Sequence, residues 1–126
     1  VVGTGNKVED FGVGFFTKYG DGGVDISPIA DLYKSEVYQL AEFLGIIQEI
    51  QDAAPTDGLW SDGRTDEDQI GATYDELEWA MNEIENPSAE KELNERLAEV
   101  MKIYLKFNLL NSHKMHPIPI FRHMKR

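Results

Sequence analysis

Val1-Val2-Gly3-Thr4-Gly5 opens the chain, and the reading of this stretch decides the fold. Two β-branched residues favour extended backbone, and the Gly-Thr-Gly that follows marks a tight loop. The stretch therefore predicts the end of a buried strand running into a turn. A lone strand cannot satisfy its backbone hydrogen bonds, and the rest of the chain offers no evident set of strands to pair with it. It is expected to belong to a larger sheet, with Val1 an internal position of a longer protein. An α/β class follows.

Moving outward, glycines recur at 3, 5, 12, 14, 20, 22 and 23, interleaved with Thr4, Glu9, Asp10, Lys18 and Asp21. Glycine lets backbone approach a ligand closely, so this first quarter reads as a glycine-rich loop region. Asp25-Ile26-Ser27-Pro28-Ile29 reads as a short extended piece. A helix is expected over 32–44, with Tyr33, Val37, Leu40, Ala41 and Leu44 at helical spacing and Gly45 as its stop. A shorter helix over 46–53 ends before Pro55. Residues 55–72 read as a polar loop, long enough to suggest a functional role, in which Trp60 either covers a base or packs on the core.

Thr73-Tyr74-Asp75-Glu76 has the form of a capping box opening a helix with the apolar stripe Leu77, Ala80, Met81 and Ile84. Asn86-Pro87 reads as an N-cap and first residue of a last helix, carrying Leu93, Leu97, Val100, Met101 and Tyr104. Its end, near Phe107-Asn108-Leu109-Leu110, should run into a basic tail holding His113, His116 and His123.

Composition excludes several classes. The chain has 126 residues and 41% hydrophobic content, enough for the core of one modest domain. It has no cysteine, which rules out disulfides and thiolate zinc sites and fits a reducing compartment. A net charge of -11 would repel a phosphate backbone, so nucleic acid is not an expected partner. No apolar run is long enough for a membrane span, and no membrane partner is expected.

The combination Gly3-Thr4-Gly5-Asn6-Lys7-Val8-Glu9, Phe15-Phe16-Thr17-Lys18-Tyr19-Gly20-Asp21-Gly22-Gly23, Asp25, Pro28, Lys34 and Pro55-Thr56 resembles the NAD synthetases, and the Phe-Phe-Thr-Lys-Tyr-Gly-Asp-Gly-Gly run resembles their ammonia-dependent branch. The resemblance implies a three-layer αβα, Rossmann-like adenine-nucleotide hydrolase fold of the N-type ATP pyrophosphatases. Residues 1–126 would be the C-terminal portion of the synthetase domain. The family's Ser-Gly-Gly-x-Asp-Ser phosphate loop is not among them, so this portion alone is expected to be inactive. The implied reaction is ATP-dependent amidation of deamido-NAD to NAD with ammonia, through an NAD-adenylate, with release of AMP and pyrophosphate. Cytoplasmic homodimers are expected on the same ground.

By resemblance, Thr4, Lys34 and Thr56 contact ATP; Lys18, Asp25, His113 and Lys114 contact deamido-NAD; and Glu9 holds Mg2+, with Asp10 as the rival ligand. The chemistry suits these types. Lysine is a mobile point charge for phosphate, a carboxylate can accept from ribose hydroxyls, and magnesium takes one or two carboxylates beside phosphates. Lys34 is notable without the resemblance, because a cation near a helix start opposes the macrodipole and suggests an anion nearby. His113 and His116 lack a third ligand for a metal site. Two other readings stay open: a non-catalytic nucleotide-binding or dimerisation module, and another amidotransferase of the ATP-pyrophosphatase superfamily.

Overall fold

In the computed structural model, residues 1–56, 58, 61–88 and 94–123 are described. The order of elements is a π-helical segment Val8–Val13, then α1 (Lys34–Phe43), α2 (Gln48–Gln51), α3 (Asp66–Ile70), α4 (Tyr74–Glu85) and α5 (Glu95–Met115). The π-helical segment, α4 and α5 pack on one another, α1 lies on α4, and α2 on α1. The core is Val8, Val13, Ile70, Ala72, Leu77, Ala80, Met81, Val100 and Tyr104, flanked by Phe15, Tyr33, Trp79 and Phe107.

The expected strand is present only as a parallel bridge between Val2 and Ile26, with the Gly3 amide donating to the Ile26 carbonyl at 2.7 Å. Among the described residues no longer strand forms, and Val1 and Val2 are exposed rather than buried. One bridging partner with no covering layer leaves both side chains facing solvent.

The larger correction concerns the glycine-rich region, which contains a helical segment. The buried Asn6 starts it: its side-chain oxygen accepts from the amides of Val8 and Glu9, both at 3.1 Å, doing the work of an N-terminal cap. Val8 and Val13 then point into the core. Gly14 ends the segment with φ 63, and a Cβ there would lie 2.5 Å from Asn111 Cβ. At this position glycine serves the approach of α5, not only that of a ligand.

The helices 32–44 and 46–53 form as the shorter α1 and α2, and Gly45 ends α1 with φ 68. The 55–72 loop contains α3, which Thr65 and Asp68 cap reciprocally and which buries Ile70. Helix α4 starts at its Thr73 cap as expected, but its stripe turns: Ile84 is exposed, whereas Glu83 is buried and accepts from the amide and hydroxyl of Ser88. Asn86 ends α4 instead of opening the next helix. Asn94 caps α5, accepting from the Leu97 amide at 2.8 Å. Helix α5 runs on through Met115, so His113 and Lys114 sit in its last turn rather than in a tail. Trp60 and Leu93 lie outside the described residues.

Candidate functional site

Two neighbouring constellations hold most of the candidate residues. The first joins three elements. Glu9 on the π-helical segment is ion-paired with Lys34, the first residue of α1, at 3.3 Å, and both are partly buried. The Tyr74 hydroxyl, from the first turn of α4, donates to the same Glu9 oxygen at 2.6 Å, and the Lys34 ammonium lies 4.9 Å from the Tyr74 ring centroid. The Glu9 carboxylate is thus the anion that offsets a lysine at a helix N-terminus. Burial, then the Glu9 carboxylate, holds the Tyr74 phenol far above its ordinary pKa, so it remains a donor. Glu78 of α4 seats α1 by accepting from the Ser35 amide and hydroxyl at 2.9 and 2.7 Å. A cleft of about 330 Å³ beside this group is lined by Lys34, Tyr38, Pro55, Thr73 and Tyr74.

The second constellation is an open pocket of about 460 Å³ between the π-helical segment, the loop that follows and the end of α5. It gathers Lys18, Asp25 and Lys114 with Asp10, Asp21 and Tyr19. Burial, then the Glu9 and Asp21 carboxylates, raises the Asp10 pKa to about 6. The Lys18 ammonium donates to the carbonyls of His113 and His116 at 2.6 and 3.0 Å, closing the C-terminus of α5. The Lys114 ammonium donates to the carbonyls of Gly14 and Phe16 at 3.0 and 2.8 Å.

Other candidates are less engaged. Thr4 is exposed, between two glycines that line the pocket. Thr56 is exposed too, and its hydroxyl accepts from the Gly58 amide at 3.1 Å and donates to the Arg64 carbonyl at 3.3 Å. The His113 ring bonds the Leu110 carbonyl of its own helix and does not line the pocket. Sequence reasoning missed Tyr74 and Glu78, which look like ordinary helix positions. It also missed Asn108 and Asn111, whose spacing of three residues on one helix was the available signal.

Comparison with known proteins adds the following. The family model described as NAD synthase matches residues 1–117. The chain is 43% identical to the NH(3)-dependent NAD(+) synthetase of Archaeoglobus fulgidus over 122 residues, covering 97% of this chain and 46% of that protein. It is 52% identical to the protein of the same name from Methanococcoides burtonii over 84 residues, 67% of this chain and 31% of that one. A solved structure of NMN synthetase from Francisella tularensis superposes with a TM-score of 0.77 at 33% identity, covering 98% of this chain and 47% of that one. The chain therefore spans less than half the length of these relatives.

Proposed function

Because the chain belongs to the NAD synthase family, we propose that residues 1–126 are the C-terminal portion of a synthetase domain with αβα layering, and that the whole protein converts deamido-NAD to NAD with ATP and ammonia. The observation that carries this reading is the Lys34–Glu9 pair. Residues far apart in sequence, matched separately to ATP and to magnesium, stand side by side with a common tyrosine.

The chemistry has two steps. A nicotinate carboxylate oxygen attacks the α-phosphorus of ATP, the bond to the β-phosphate oxygen breaks, and pyrophosphate leaves. Ammonia then attacks the acyl carbon of the NAD-adenylate, AMP departs, and the amide forms with loss of a proton. The first step brings two anions together, so positive charge at the phosphates contributes strongly. Lys34 supplies such charge, with Thr56 as a further ATP contact and Thr4 from the loop beside the pocket. Lys18, Asp25 and Lys114 hold the dinucleotide, and His113 adjoins them.

The residues fit magnesium in a limited way. Glu9 offers a hard carboxylate with Asp10 next in sequence, and among the described residues no cluster of three or more ligands forms. Magnesium takes few protein carboxylates and completes its shell with phosphate and water, so a single carboxylate can contribute to its site. Glu9 would hold Mg2+, which when bound supplies positive charge at the phosphate oxygens.

The test is NAD formation by the full-length protein from deamido-NAD, ATP and ammonium, with AMP measured alongside. Equal amounts of NAD and AMP are expected. ADP in place of AMP, or nucleotide binding without turnover, would overturn the reading, and the second outcome would favour a non-catalytic module. The NMN synthetase neighbour makes nicotinate mononucleotide the competing substrate to run in parallel. Its preference over deamido-NAD would replace the substrate while leaving the chemistry.

A further inference from the structure

Four donor contacts run from one stripe of α5 to the carbonyls of Gly12, Val13 and Gly14 at the end of the π-helical segment and of Phe16 just beyond it. Asn108 Nδ2 donates to the Gly12 carbonyl at 2.7 Å, and Asn111 Nδ2 to the Val13 carbonyl at 2.8 Å. Lys114 continues the stripe to Gly14 and Phe16 at 3.0 and 2.8 Å. The donors are spaced by three residues, so they share one side of α5 and advance about 4.5 Å per step. The first three acceptors are carbonyls at a helix end, which lie beyond the reach of intrahelical amides and need outside donors. In return Lys18, from the loop so held, closes the carbonyls of α5 at His113 and His116. Gly14 lets the two backbones come this close.

We propose that Asn108 and Asn111 are positioning residues for the dinucleotide site. They fix the path of residues 12–16, and with it the angle at which the loop 15–25 presents Lys18 and Asp25 to the 460 Å³ pocket. Neither asparagine lines that pocket, although Asn111 borders an adjoining cavity of about 700 Å³ with Phe16, Asp21 and Lys114; toward the dinucleotide pocket each acts through the carbonyl it holds. An amide side chain is the right tool, since it donates to a carbonyl without placing a charge beside the core residue Val13. The loop has its own local bonds: the Thr17 amide donates to Asp21 Oδ1 at 2.7 Å, and the Gly20 and Gly22 amides both donate to the Thr17 carbonyl at 3.0 Å. These shape the turn, whereas the α5 stripe anchors it.

This inference rests on the synthetase reading for its kinetic arm only. In the full-length protein, Asn111→Leu and Asn108→Leu keep side-chain bulk and remove the donor. Amide hydrogen exchange at Thr17, Gly20 and Gly22 should speed by about tenfold, the scale of one lost hydrogen bond with an orphaned carbonyl, while exchange within α4 stays parental. KM for deamido-NAD should rise by a similar factor at unchanged KM for ATP. If a leucine variant does not fold, Asn111→Ser, with a shorter reach, is read in the same way. Parental loop exchange, or equal changes in both KM values, would overturn the proposal. Should the parent protein make no NAD, the functional reading fails, and the exchange measurement alone decides the role of the stripe.

Discussion

The π-helical segment and the α1–α2 pair carry the two halves of the Glu9–Lys34 contact, yet they are held in opposite ways. The first is short, set in a glycine-rich stretch and weakly helical by sequence, but it buries Val8 and Val13 and is pinned along its end by α5. The second has clear helical spacing and a clean glycine stop, but neither α1 nor α2 contains a buried residue. Phe43, Leu44 and Ile50 of that pair are exposed at 86%, 62% and 62%. Helix α1 is attached chiefly through polar contacts at its start, where Lys34 meets Glu9 and Ser35 meets Glu78. A helix can thus form on local signals, as α1 does, or through distant partners, as the π-helical segment does, and in both cases tertiary partners determine how firmly it is held.

The difference can be broken most sharply in the core. Leu77→Ala, at a fully buried position of α4 facing the π-helical segment and α5, should cost about 2–5 kcal/mol in denaturant unfolding. Phe43→Ala on α1 should change stability by no more than about 0.5 kcal/mol. A large loss at Phe43 would show that α1 is packed as tightly as α4.

Two glycines of matching conformation sharpen the same contrast. Gly14 and Gly45 have φ 63 and φ 68, so alanine is strained at both. At Gly14 a new Cβ would also meet Asn111 Cβ at 2.5 Å and Met115 Cε at 2.8 Å, whereas at Gly45 nothing lies within 4 Å. Gly14→Ala should therefore cost about 2–4 kcal/mol and Gly45→Ala about 1 kcal/mol. Equal losses in thermal unfolding would remove α5 as the cause.

A smaller, pH-dependent effect belongs to Asp10 at the pocket. Its pKa is raised to about 6, so folding favours the protonated acid. Below about pH 3 the carboxyl is neutral in both folded and unfolded chains and carries no penalty. Stability is lost as pH rises through 6, where the carboxylate must ionise next to Glu9 and Asp21. Asp10→Asn should be more stable than the parent by about 1 kcal/mol at pH 7.5, a modest figure because the half-buried group is partly screened by solvent. The gain should vanish near pH 3; a constant gain at both pH values would rule out titration as its origin.

The legible parts of the molecule were those with local causes. The Thr73 cap of α4, the Gly45 stop and the Leu77-Ala80-Met81 face follow from neighbours in sequence, and the structure has them. Helix α3 carried a readable Thr65–Asp68 cap that the surrounding polar residues obscured. The π-helical segment was hidden because its stabilising partners come from far along the chain: Asn108, Asn111 and Lys114. The Lys34 anomaly suggested an anion in the crevice; the anion facing it in the structure is the Glu9 carboxylate of the chain itself. Tyr74 could not be singled out, since its role depends on Glu9 lying across from it.

Lys34 provides the most direct test of the account. Removing its ammonium leaves the partly buried Glu9 without its cation, so some loss of stability accompanies Lys34→Ala whatever its function. Steady-state kinetics on the full-length protein separate the two roles, with ATP and deamido-NAD varied in turn. The account predicts that kcat/KM for ATP falls by roughly thirty- to several-thousand-fold, the consequence of losing a charged contact of about 2–5 kcal/mol, while KM for deamido-NAD stays near the parental value. Parental ATP kinetics in the folded variant would contradict it and leave Lys34 as the structural partner of Glu9 alone.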